Sequence, residues 1–179
     1  MTNEKDKTEL LTKVFDNQQI LISNADGKAN IALSIQTFIT TTVLGAAIIV
    51  DTFSKVAHFS CCIKLTYYFL FAAFLISSII GLTLCIYVFR PRPPQEEKEV
   101  KRKGITYFGH IKKFKNSNEY LDEINDTKSK DVINEFAFQN YTLAFILDHK
   151  MKFVKSSTTF LFINILLGIV LLIFSLLTK

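Results

Sequence analysis

The stretch Ala25-Asp26-Gly27-Lys28-Ala29 sets a carboxylate and an ammonium two residues apart, directly before a run of residues that carries no charge. A second charged group, Asp148, His149, Lys150, Lys152 and Lys155, directly precedes another such run. The chemistry these residues offer is electrostatic. If both runs start at the same membrane face, Asp26 is placed to pair with Lys150 or Lys152. Ordinary anchoring by snorkelling ammonium groups is enough to account for Lys152 and Lys155. Asp26 needs more, because a carboxylate beside anionic headgroups gains nothing without a specific partner, either a lysine or a ligand. Nothing points to catalysis: His58, His110 and His149 lie in separate segments, and no glycine-rich phosphate loop, Cys/His cluster, HExxH or Gly-x-Ser-x-Gly occurs. No enzyme is expected, and no catalytic or metal-binding residue is assigned.

Three windows set the elements that must carry these charges. Residues 29–50 (22 residues), 65–89 (25) and 156–178 (23) contain no Asp, Glu, Lys or Arg. A bilayer core takes roughly 20 mainly apolar residues as helix, and core helices of soluble proteins seldom stay uncharged that long. The chain, 179 residues and 49% apolar, is therefore expected to be an all-α integral membrane protein with three transmembrane helices. The first window is the most polar. Ser34, Gln36, Thr37 and the threonines at 40–42 suit contact with other helices, and Gly45, Ala46 and Ala47 suit close backbone approach. Ser34, Thr37, Thr41 and Gly45 fall on one face at spacings of three and four, bordered by Gln36 and Thr40.

Lys and Arg set the expected orientation. Four lysines precede the first window, two lie in 51–64, and fourteen Lys and Arg lie in 90–155. The positive-inside rule puts the two large segments in the cytoplasm and the short one outside, an N-in, C-out arrangement. The organisation expected is a cytoplasmic amphipathic helix at 1–28, transmembrane helix 29–50, external loop 51–64, transmembrane helix 65–89 and a helical cytoplasmic subdomain at 90–155. A third transmembrane helix, 156–178, continues the helix before it. The polar N-terminus argues against a cleavable signal peptide, so the first span is expected to act as an uncleaved anchor. Cys61, Cys62 and Cys85 have no metal-type spacing and read as apolar filler at membrane depth, with an intermolecular disulfide through Cys61 or Cys62 as the alternative.

Outside the windows, Leu10, Leu11, Val14, Phe15, Leu21 and Ile22 recur at spacings of three and four, with Gln18 as a polar member. That pattern is an amphipathic helix, which Gly27 weakens without breaking. Residues 90–104, RPRPPQEEKEVKRKG, hold prolines that stop any helix. The basic members of this segment suit an anionic leaflet or a phosphate. Asn116 followed by Glu119 has the form of a capping box. From Asp131 onward, Ile133, Phe136, Asn140, Leu143, Leu147 and Val154 form a narrow seam, and no Gly or Pro intervenes before Gly168. One helix is expected from Asp131 through Thr178, about 70 Å long at roughly 1.5 Å per residue. Its cytoplasmic half must pack on the N-terminal amphipathic helix or on another subunit.

Four stretches, NQQILISNADGKANIALSI, YFGHIKKF, NEYLDEI and ILDHKMKFV, occur in that order across nearly the whole chain. Together they resemble the Pycsar transmembrane effectors, in which a helix with an Ala-Asp-x-Lys-Ala core opens the first membrane span. The resemblance implies a multi-pass protein of the bacterial inner membrane that serves antiphage defence. A nucleotide cyclase makes a cyclic pyrimidine mononucleotide (cyclic UMP or cyclic CMP) on infection, and the effector then damages the membrane. The implied partners are membrane lipids, further copies of the chain and, functionally, the cyclase, with no nucleic acid. No cofactor is implied beyond the activating nucleotide.

Such a ligand has one negative phosphate and a flat base, so its pocket wants a cation or N–H donors and an aromatic surface. The 101–120 region offers these, and Lys101, Arg102, Lys103, Tyr107 and His110 are the ligand-binding candidates, with Phe108 read as packing. Asp26, Lys28, Lys150 and Lys152 are the candidate gating charges. Ser34, Gln36, Thr37, Thr41 and Gly45 are the candidate pore or helix-packing face, because three spans of one chain enclose no useful pore and an oligomer must form it. The rival readings are a non-catalytic membrane adaptor that recruits a cytoplasmic partner and a ligand-independent, holin-like pore toxin.

Overall fold

Glycine and proline are scarce in this chain, six and three in 179 residues, so helices run until a specific residue stops them. The computed structural model describes residues 4–49, 51–90, 104–106 and 108–177, with the backbone alone at 108 and 109. Among these residues there are helices and no strand.

The first helix, α1 (Glu4–Ile49), passes straight through Gly27, where a Cβ would meet nothing within 4 Å. Near its start Lys13 donates to Glu9 at 2.7 Å, and that bond with the adjacent positive charge holds the Glu9 carboxyl below its ordinary range. Asp51 turns the chain. Its φ of 53° lies in the left-handed region, which a short polar side chain tolerates better than most, and its N–H donates to the Ile48 carbonyl. A short helix, α2 (Thr52–Ala57), follows where the sequence suggested only a loop. Thr52 and Val56 stand one turn apart and are both fully buried, and that burial holds the turn.

Next come α3 (Cys61–Phe89), α4 (Phe108–Ile111), α5 (Ser117–Asp126) and α6 (Ser129–Leu177). At the head of α5 the Asn116 side chain accepts from the Glu119 N–H, while the Glu119 carboxylate accepts from the Lys115 N–H, both at 2.8 Å. The two caps are reciprocal, and each satisfies an N–H that the helix cannot. Three helices, α1, α3 and α6, are long and apolar enough to cross a membrane.

The chain divides into two units, residues 1–23 with 91–149 and residues 24–90 with 150–179. In the first, more polar unit, Leu11, Phe15, Gln18 and Ile22 form the less exposed stripe of α1. Phe15 meets Phe136 of α6 edge-on at 6.1 Å, and Asn140 donates to the Leu11 carbonyl at 2.9 Å. The polar member of the α6 seam thus spends its amide on the neighbouring backbone.

In the second, apolar unit, the buried residues of α6 are Val154, Ser157, Leu161, Asn164, Gly168, Leu171 and Ser175, spaced three and four apart throughout. This is a heptad seam of the kind that knobs-into-holes packing requires. Opposite it, α1 presents Ala25, Ala29, Ala32, Gln36, Val43 and Ala47, and α3 presents Tyr67, Phe74, Ser78, Gly81, Cys85 and Val88. Small residues let the backbones close in. A Cβ on Gly168 would lie 3.3 Å from side-chain carbons of Ile39 and Val43 on α1. One end of the unit is an aromatic cluster in which Phe53 of α2 packs edge-on against Phe71 at 5.1 Å, and Tyr67 lies 5.0 Å from Phe174.

The α5 cap gives a direct check. Asn116→Ala removes the acceptor for Glu119 N–H and is expected to cost about 1 kcal/mol, read as faster amide exchange in the first turn of α5. Unchanged exchange at Glu119 would show that the cap contributes nothing.

Candidate functional site

The backbone of a spanning helix satisfies itself, so the polar side chains inside the apolar unit must find partners among themselves. Four of them do so, around Ser78 of α3. The Gln36 amide donates to the Ser78 carbonyl at 3.4 Å, the Thr40 and Ser78 hydroxyls are hydrogen-bonded at 3.2 Å, and the Asn164 amide donates to Ser78 Oγ at 3.1 Å. One residue of α3 thereby touches α1 and α6 together. Gln36 is 1% exposed and Asn164 0%. Gly81, one turn after Ser78, makes room for the layer, since a Cβ there would lie 2.5 Å from Gln36 Nε2. Among the described residues, the buried Asn164 Oδ1 and Ser77 Oγ have no hydrogen-bond partner. A second polar contact joins Thr52 to Ser175, hydroxyl to hydroxyl, at 3.2 Å.

Among the charges flanking the uncharged windows, Asp26 of α1 meets Lys150 of α6. Lys150 Nζ donates to Asp26 Oδ1 at 2.5 Å, with the lysine side chain 13% exposed and the aspartate 35%. Lys28 and Lys152 are exposed. Beside the pair, Ala25, Ala29, Val88 and Val154 form an apolar cluster with Phe153 against it, and Tyr87 stacks on Phe153 at 5.8 Å. The cluster dries one side of the ion pair and strengthens it relative to a pair in open water.

The five residues considered for a pore or packing face differ in exposure. Gln36 points into the bundle. Ser34, Thr37 and Thr41 are exposed, and their hydroxyls donate to carbonyls of their own helix at 3.0, 2.9 and 2.9 Å. Gly45 is half-buried, with nothing near its Cβ position.

Of the ligand-binding candidates, Lys101, Arg102, Lys103 and Tyr107 lie outside the described residues. His110 stands half-buried in α4, close enough to Gly104 that a Cβ there would overlap its ring. Sequence reasoning missed Glu135, whose carboxylate accepts from the N–H groups of Ile105 (3.1 Å) and Thr106 (2.9 Å). It also missed Asn164, though there a signal existed, because Asn164 is the sole side-chain amide of the third window. In Glu135 nothing local distinguishes one acid from the others around it.

The chain matches the family model described as the Pycsar effector protein domain over residues 10–177. It belongs to the Pycsar effector family. No curated protein and no solved structure matches it. The Pycsar effector is accordingly a membrane protein of antiphage defence, and it stands on the effector side of such a system rather than the cyclase side. The matched region takes in Asp26, the Ser78 layer, Glu135 and Lys150.

The ion pair of this Pycsar effector is open to a double-mutant cycle. Asp26→Asn and Lys150→Met each leave a partly buried charge alone, so the two changes together are expected to cost less than the sum of the singles by about 0.5–3 kcal/mol. Unfolding of the protein in micelles measures this, and strictly additive effects would mean that the pair contributes no energy of its own.

Proposed function

We propose that this chain is the membrane-disrupting effector of a Pycsar system, located in the bacterial inner membrane and triggered when a cyclic pyrimidine mononucleotide is made on infection. In this reading several copies assemble and line a defect with the Ser34–Thr37–Thr41 face of α1. A nucleotide cyclase is the functional partner, the lipids are the target, and cyclic UMP or cyclic CMP is the activating ligand.

The observation that carries the reading is the outward position of that hydroxyl face on a helix long enough to span the membrane. Lipid gains nothing from hydroxyls, whereas water or a neighbouring helix does. Because each hydroxyl is bonded to its own backbone, a single copy can sit in lipid without an unsatisfied donor. The Asp26–Lys150 pair and the Ser78 layer then hold the closed arrangement, and α1, which carries Asp26, Gln36 and the hydroxyl face, is the element that moves.

Ion flux from liposomes that carry the full chain tests this, with cyclic UMP, cyclic CMP, cyclic AMP and cyclic GMP added in turn. Flux is expected with a pyrimidine ligand and not with the purine ones. Thr37→Val with Thr41→Val is expected to cut the triggered flux about tenfold or more while leaving insertion intact, as befits an interaction formed only in the open state. Equal flux from the double variant would remove the face from the pore. Flux without ligand would favour a holin-like toxin, and silence under every condition an adaptor.

A further inference from the structure

Two consecutive backbone N–H groups that converge on one point make a small anion site, provided the chain beside them lacks a Cβ. Residues 104–106 of the polar unit have this form. Ile105 N–H donates to one oxygen of Glu135 and Thr106 N–H to the other, at 3.1 and 2.9 Å. The carboxylate therefore sits across the two donors as a fork, the way two oxygens of a phosphate would. Only a glycine fits beside the carboxylate, for a Cβ on Gly104 would lie 2.5 Å from Glu135 Oε1 and would overlap the His110 ring.

The surroundings hold the donors in place. The Tyr120 hydroxyl donates to the Ile105 carbonyl at 2.6 Å, and the Gln139 amide donates to Thr106 Oγ1. Lys112, Lys113 and Lys115, exposed just after α4, make the region attractive to an anion from solution. A structural strut between a loop and a helix could be made by any neutral acceptor. Here the acceptor is the one side-chain type whose charge and shape copy the ligand class that such a site takes.

We propose that Glu135 is a placeholder in an anion site. A phosphate-bearing ligand binds the Ile105 and Thr106 N–H groups, and the Glu135 carboxylate leaves as it enters. Binding frees α6 from the 104–106 segment, because Glu135 is a residue of α6 and α6 continues to Leu177. The proposal rests on the nucleotide-triggered reading only for the identity of the ligand. The site itself requires a phosphate group, whether carried by a nucleotide, by inorganic phosphate or by a lipid headgroup.

The test is calorimetric titration of the full chain in phosphatidylcholine nanodiscs with cyclic UMP and, separately, with inorganic phosphate. Glu135→Gln keeps a neutral acceptor for the N–H groups and removes the competing charge. It is expected to bind one or both ligands about tenfold more tightly than the wild type, since an internal competitor reduces apparent affinity by the fraction of time it is bound. Glu135→Asp keeps the charge and shortens its reach, so it must shift affinity in the same direction, and it serves where the glutamine variant folds poorly. Affinity unchanged or weakened in both variants, with helical content retained, would overturn the proposal. If cyclic UMP binds no form of the protein but inorganic phosphate gains on Glu135→Gln, the placeholder stands and the nucleotide reading falls. If cyclic UMP binds wild type and variants alike, the placeholder falls and the nucleotide reading stands. Loss of the gain when phosphatidylglycerol is added to the nanodiscs assigns the phosphate to a lipid headgroup, which supports the site with that source.

Discussion

Ser78 is the point at which the three long helices of the apolar unit must agree. Its carbonyl and hydroxyl together meet Gln36, Thr40 and Asn164, residues of α1 and α6. Sliding α1 or α6 by one turn past α3 would strand two buried amides in an environment with no water to satisfy them. Each bond across helices in a membrane is worth roughly 0.6 kcal/mol on average, so the layer adds little to stability. A buried acceptor left unpaired costs about 1–3 kcal/mol, and the layer already carries Asn164 Oδ1 and Ser77 Oγ in that condition. These magnitudes decide what the layer does. It penalises wrong registers more than it rewards the right one, and its deficit brings a rearranged bundle within reach.

What keeps the bundle together is therefore packing. Phe74, Tyr67, Val43, Val56 and Leu171 form its largest buried cluster, and the alanines of α1 let backbone atoms approach where larger side chains would hold them apart. Lipid tails are as apolar as these side chains, so the gain comes from close fit more than from removing surface from water. Close fit has two discrete solutions more readily than a continuum. That is the physical condition for a switch in which α1, carrying Asp26, Gln36 and the Thr37 face at successive levels, changes neighbours as one body.

The three spans are legible in the sequence because the cost of a charge in hydrocarbon is a property of composition, which the windows at 29–50, 65–89 and 156–178 display directly. The all-helical class follows from the same windows together with the scarcity of glycine and proline. The helix at Thr52–Ala57 is not legible, because its reason is burial of Thr52 and Val56 against residues distant in the chain, Ser175 among them. Asp26 announces a need for a partner, yet Lys150 and Lys152 lie two residues apart and so point in different directions from a helix. Only the fold selects Lys150. Gln36 and Thr37 read alike as polar residues in a span, and a rotation of about 100° between consecutive residues sends one to the core and the other outside. Glu135 is the least legible of all, since its meaning lies in two N–H groups about thirty residues earlier.

The exposed hydroxyls of α1 bear on where a trigger must act. Ser34, Thr37, Thr41 and Thr42 each bond a carbonyl one turn back, so no donor on that face demands a second copy or a water. A face that is satisfied alone does not drive assembly, and the same hydroxyls can turn outward by a single side-chain rotation once something else brings copies together. The drive has to come from groups whose bonding changes with a ligand or with charge. In the apolar unit Asp26 is ion-paired with Lys150. In the polar unit the Glu135 carboxylate lies on the N–H groups of Ile105 and Thr106, the donors proposed above as the anion site. Asp26 belongs to α1, and Glu135 and Lys150 to α6, so the two contacts bear on the two helices that contribute to both units. On the reading proposed above, a ligand that displaces Glu135 would act on α6, the helix whose Lys150 holds Asp26 of α1, and the hydroxyl face would turn when that hold yields.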